Sequence, residues 1–214
     1  MEERSITITL NKAREWFKNG DAALKEIALQ AFSEDQLTDS FKKITTFKKA
    51  CKTLDLDYEV ESAIIEDIEV ISKASAAMFQ LNIIKKAINL GYDLHLTKDP
   101  EKSQIYYPLN PIITEDSTYY ENELNHGYME IIGKIKSEET LYSVLAGCVD
   151  NYECGVGLSY FDKPTGVGYT DASIGFLGCA TEEIAKHFGK YFGMLITEAK
   201  YGDLVDFEIT RTKY

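Results

Sequence analysis

Arginine is scarce in this chain. Only Arg4, Arg14 and Arg211 occur among 23 basic residues, and the formal net charge is -12. Proteins that read phosphate lean on arginine forks and a basic surface. The composition therefore argues against direct nucleic-acid binding. Cysteine is limited to Cys51, Cys148, Cys154 and Cys179, with no C-x-x-C pair. These read as buried thiols in a reduced, cytoplasmic setting. The histidines, His95, His126 and His187, lie far apart and outside any H-x-x-x-H or Cys/His cluster. That spacing argues against zinc. There is no G-x-S-x-G elbow and no cysteine with a motif-linked histidine. Nowhere do about 18 apolar residues run uninterrupted, so no membrane span is expected. The opening "MEERSITITL" reads as neither signal peptide nor anchor.

What is present is a globular composition. The 214 residues are 44% hydrophobic and 27% charged, enough for one large domain or two small ones with a sizeable core. The acidity is uneven: residues 1–107 carry 15 Lys+Arg against 18 Asp+Glu, and residues 108–214 carry 8 against 17.

Residues 1–96 read as a helical region. "SITITL" is a short strand or extended lead-in, and Thr9 then caps a helix that stops at Gly20. Asp21 caps the next, where Leu24, Ile27, Ala28 and Ala31 recur at helical spacing. Ser33 opens a further capped start. "FKKITTFKKACKTLDLD" places Phe41, Ile44, Phe47, Ala50, Cys51 and Leu54 on one face. Its lysines fall mostly on the other, which reads as the solvated side of an amphipathic helix rather than a patch for an anionic partner. The acidic run from Asp55 to Glu69 follows, placed to neutralise those lysines. "KASAAMFQLNIIKKAINLG" is the strongest helix pattern of this half. Ala77, Leu81, Ile84 and Ile88 form its buried stripe, Met78 fills the core, and Gly91 ends it.

Residues 97–127 form a Tyr/Pro-rich connection with three of the four prolines and one short strand at "IYYPL". Residues 128–214 read as an antiparallel sheet plus a C-terminal helix. A boundary near residue 100 is expected, or one continuous domain. "YMEIIGKIK" alternates Met129, Ile131, Gly133 and Ile135 on one face, and "ETLYSVLAGC" is the other arm of a hairpin.

The stretch "CGVGLSYFDKPTGVGYTDASIGFLGCATEEI" tests for a phosphate cradle. Gly155 and Gly157 start G-x-G-x-x-G, but Tyr160 holds the last position; Gly166 and Gly168 start another, ended by Asp171. A Walker loop is absent, and Glu182 and Glu183 occupy the helix start where an anion would sit. The repeated "GVG" arms read instead as a hairpin, and "ASIGFLGC" as one more strand. No cofactor, metal or catalytic residue is assigned. Thr181 caps the final helix, about 181–201, with core stripe Ile184, Phe188, Tyr191, Leu195 and Ala199. A second line, Ala185, Gly189, Gly193 and Thr197, is small at every fourth position and predicts close contact, most simply with the sheet.

Paired carboxylates such as Glu115–Asp116 and Glu138–Glu139 read as solvated turns. Tyrosine is enriched, with nine of 14 between residues 106 and 169, and it is common at recognition surfaces. Tyr142, Tyr152, Glu153, Tyr160, Asp162, Tyr169 and Asp171 form the candidate partner surface.

The segments "ITLNKAREWFKNGDAALKEIALQAF", "SKASAAMFQLNIIKKAINLG" and "GFLGCATEEIAKHFGKYFGMLITEAKYGDL" resemble proteins of phages and prophages of Bacteroides-type gut bacteria. That resemblance implies a mobile-element context and no mechanism.

The expected fold is α+β, a helical N-terminal half followed by an antiparallel β-meander closed by a C-terminal helix. The expected function is non-enzymatic: a phage- or prophage-associated protein-binding or virion accessory protein. Its partner would be a host or phage protein or a second copy of itself, with no direct nucleic acid and no membrane. An acidic inhibitor occupying a host nucleic-acid-binding site is the alternative, since residues 138–183 hold eight Asp+Glu and one Lys. A third expectation is an enzyme whose site gathers His126 or His187 with carboxylates.

Overall fold

The computed structural model describes residues 8–38, 40–92, 104–108, 110–114, 118, 121–127, 129–137, 140–147, 156–160, 177–204 and 207–213. The fold is α+β, as expected. The first helices start where their caps predict. Thr9 accepts from Lys12 N at 3.3 Å to open α1, Leu10–Asn19, and Asp21 accepts from Leu24 N at 3.0 Å to open α2, Ala22–Ala31. Ser33 and Gln36 form a reciprocal capping box on α3, Glu34–Leu37. These helices share a small core of Ala13, Ala28 and Leu37. Of the expected α2 stripe, only Ala28 is buried, and Ile27 lies exposed. The helix sits at the periphery, so its apolar periodicity outruns the surface available to cover it.

The lysine-rich stretch is not one helix. A 3-10 turn, η1, covers Ser40–Lys43, and α4 covers Phe47–Thr53. Between them Thr46 is extended, and its hydroxyl caps Lys49 N at 3.3 Å. A β-branched Thr pair competing for backbone hydrogen bonds breaks the helix there. The buried face survives the break: Phe41, Ile44, Ala50 and Cys51 are all buried.

Helix α5, Tyr58–Glu69, and helix α6, Lys73–Ile88, follow. The α6 stripe is buried as predicted, Met78 packs against it, and Gly91 adopts φ +75° just past the helix end. Strand β1, Gln104–Pro108, answers the expected strand, while β2, Ile112–Thr114, and the short α7, Glu121–Asn125, were not foreseen.

Strands β3, Met129–Ser137, and β4, Thr140–Gly147, form the expected hairpin. The expected strict alternation fails at one point. The register shifts between Ile131 and Gly133, so Ile132 is the extra residue and is 1% exposed while Ile131 is only half-buried. A bulge turns two residues against one and re-aims the side chain.

Strand β5, Val156–Tyr160, pairs antiparallel with β1. Helix α8, Glu182–Tyr201, is capped by Thr181, and a strand follows it: β6, Phe207–Arg211, pairs antiparallel with β3. The C-terminal helix is thus followed by one more strand, and in the antiparallel sheet, order β2-β4-β3-β6, only β3 and β4 are neighbours both in sequence and in space, so the expected meander is reduced to that hairpin with β2 and β6 added at its two edges.

Helix α8 is the centre of the molecule. One side, through Ile184, Phe188 and Leu195, joins Leu81, Ile84 and Ile88 in the main core. Another side sends Met194 into a second core with Ile132, Ile135, Val144 and Ala146 of the sheet. Glu130 of β3 ties the arrangement at the surface, pairing with Lys190 of α8 at 3.1 Å and Lys213 at 3.0 Å.

Candidate functional site

The expected partner surface is only partly within the described residues. Tyr142 lies on β4, half-buried against the second core alongside Ile112. Tyr160 ends β5 and pairs in register with Gln104 of β1. Tyr152, Glu153, Asp162, Tyr169 and Asp171 lie outside the described residues. In the glycine stretch, Gly157 is a strand residue opposite Tyr107. Gly155, Gly166, Gly168, the second "GVG" arm and most of "ASIGFLGC" lie outside the described residues; Cys179, at its end, makes a single bridge with Tyr106.

That bridge belongs to a junction which holds α8 to α6. Cys179 N donates to Tyr106 O at 2.6 Å, and Tyr106 N donates back to Cys179 O at 3.1 Å. On the opposite edge Asn89 Nδ2 donates to Gly178 O at 3.2 Å, and its Oδ1 accepts from Ala180 N at 2.9 Å. The Asn89 amide thus takes the place of a neighbouring strand's backbone. Cys179 is fully buried, and burial pushes its thiol pKa up to about 12, against the pull of Lys85. The Cys51 thiol is likewise raised by burial. Both are inert thiols at neutral pH. Cys148 and Cys154 lie outside the described residues.

The small line on α8 is buried, but what meets it first is not the flat of a sheet. A Cβ added to Gly193 would collide with the Asn110 amide and lie 2.6 Å from Ile132 Cδ1. At Gly189 it would lie 3.2 Å from Pro108 Cβ. Asn110 Nδ2 donates to Gly189 O and to Leu145 O, both at 3.0 Å, and so ties α8 to β4. Glycine is required there to let a polar side chain of the β1–β2 connection reach the helix backbone.

His187 is half-buried on α8. Its Nε2 lies 2.7 Å from Ile44 O, and its ring packs edge-on to Phe41 at 5.4 Å and against Tyr191 at 4.6 Å. Burial holds its pKa below the ordinary histidine value; the Ile44 carbonyl opposes this, and Lys190 and Lys42 add to it. Among the described residues the charges acting on it are those of Lys190 and Lys42. His126 is exposed, with Nδ1 2.6 Å from Asn122 O, and His95 lies outside the described residues. Among the described residues no three His, Cys, Asp or Glu stand together as metal ligands, and no helix is long and apolar enough to cross a membrane.

Among the described residues the largest apolar exposures lie at the turn between α5 and α6 and along α5. Val70 and Ile71 are each 88% exposed, Val60 is 55% and Ile64 is 39%. Leu204, after α8, is exposed as well, and the chain there meets the α6 start: Asp203 accepts from Ser72 Oγ at 2.5 Å and Ala74 N at 3.1 Å. Those donors hold the Asp203 carboxyl below the ordinary carboxylate range, the Ser72 hydroxyl most of all. As sequence, the acidic run reads only as a neutraliser of the lysine-rich stretch. The missed signal was apolar residues on two sides of one helix, with Ile65 buried and Val60 and Ile64 outside.

No protein family, curated protein or solved structure matches this chain.

Proposed function

We propose that this chain acts by binding another protein, as an accessory protein of a phage or prophage, and not by catalysis. The observation that supports the reading is the exposed apolar corner formed by Val60, Ile64, Val70 and Ile71. Val60 and Ile64 stand one turn apart on α5, and Val70 and Ile71 are adjacent just past its end; exposed apolar groups rimmed by charge mark interaction sites. The partner is a host or phage protein, met in the cytoplasm or in the particle.

Cross-linking in the cells that produce the protein, followed by mass spectrometry, tests this. Cross-links from Lys48 or Lys73, which flank α5 in sequence, to one defined partner are expected. A chain cross-linked to nothing ends the reading. Peptides of the chain in purified particles support the virion version, and clean absence removes it.

The second reading is an acidic inhibitor of a host nucleic-acid-binding protein. It is favoured by the eight Asp+Glu and single Lys of residues 138–183. It predicts binding to a basic host protein that weakens steeply with salt. Affinity equal at low and high salt removes it.

A further inference from the structure

Helix α5 is amphipathic on two sides. Its inner side sends Ile65 into the protein. At about 100° per residue, Val60 and Ile64 stand one turn apart on its exposed side, with Asp67 a further turn on and Glu59 and Glu66 along one flank, and Val70 and Ile71 follow just past the helix end. From Asp55 to Glu69 the sequence has seven carboxylates and no base. The outer side is therefore an apolar ridge set in negative potential.

We propose that this side docks an amphipathic helix of another protein, one whose apolar stripe is flanked by lysine or arginine. This rests on the protein-binding reading and names the partner's chemistry. A helix is chosen because side chains one turn apart make a ridge that fits the groove of another helix. The basic flank is chosen by charge complementarity, which sets register and rejects wrong partners. A second copy docked α5 against α5 sets like-charged flanks together, so self-pairing through this side is disfavoured.

The full chain is titrated by fluorescence anisotropy with three labelled helical peptides. The first has an apolar stripe at i, i+4 and i+7 with lysine flanks. The second has the same stripe with glutamate flanks. The third has the composition of the first, scrambled so that no stripe forms, which measures plain attraction to a chain of net charge -12. The first peptide is expected to bind at least about tenfold more tightly than either other, and its lead over the second to shrink as salt rises. Ile64→Glu and Val60→Glu each lower its affinity about tenfold while leaving the circular dichroism and melting temperature in place. Having two variants guards against one failing to fold. No binding by the first peptide, equal binding by the scrambled one, or indifference to both substitutions overturns the proposal. A cellular cross-linked partner that persists with Ile64→Glu removes this docking side and leaves the protein-binding reading intact. Loss of every cellular partner from the unsubstituted chain removes that reading itself.

Discussion

Gly193 stands where a side chain has no room, because the Asn110 amide and Ile132 Cδ1 already occupy the space. Gly193→Leu is expected to cost on the order of 1–3 kcal/mol by overpacking, read as a lower melting temperature. Unchanged melting refutes the packing. The small-residue line was visible from its spacing of four. Asn110 was not, because nothing in "LNPII" says which carbonyls its amide will reach. Arg14 shows the same limit. It was visible only as one of three arginines, yet it is 6% exposed, with Nε donating to Gln36 O at 2.7 Å and Nη1 to Gly91 O at 2.5 Å. Its guanidinium also lies 3.7 Å from the centre of the Tyr92 ring. Arg14→Leu leaves part-buried carbonyls without their donor, and urea denaturation is expected to show a loss of about 1–3 kcal/mol. Arg14→Lys recovers only part, since a point charge does not span carbonyls on two elements.

At the scale of elements, helix starts were legible because a cap needs only a side chain two or three residues from an amide. Thr9, Asp21 and Thr181 all cap as their positions in the chain imply. Breaks and bulges were less legible. Thr46 and Ile132 sit in apolar patterns that fit a continuous helix and a regular strand. The docking of elements adds pH dependence. His187 is held neutral by burial between η1 and α8, while the unfolded chain protonates it near the ordinary value of about 6.5. Its contribution is complete above that value and is lost as pH falls toward the lower folded value, because the unfolded state takes the proton first. Stability measured by urea from pH 7.5 down to 5 is expected to fall, and less steeply in His187→Gln. Equal slopes refute the assignment. Asp203 acts in a different window. Its lowered folded pKa means that its support of the α6 start persists above the ordinary aspartate value of about 3.9 and goes only as pH falls through the folded value. Asp203→Ala is expected to speed hydrogen exchange at the Ala74 amide at pH 7, and unchanged exchange there counts against the contact.

At the scale of the whole molecule, α8 couples the helices to the sheet. Phe188 is fully buried in the core shared with α6, 5.7 Å from Phe192 between ring centres. Phe188→Ala is expected to cost about 3–5 kcal/mol. It is also expected to lower a single unfolding transition followed at once by helix and tyrosine signals. Two separated transitions contradict a shared core.

By itself the sequence determined the helix starts, the buried stripes of α6 and α8, the β3–β4 hairpin and the α+β class. Each depends on residues close together along the chain, where periodicity and capping act directly. Only the tertiary structure decided that β5 pairs with β1, that β6 returns to β3, that Asn110 and Asn89 stitch α8 in place, and that the outer side of α5 stays uncovered. Those outcomes depend on which surfaces meet across long separations, and local patterns leave many such pairings equally open.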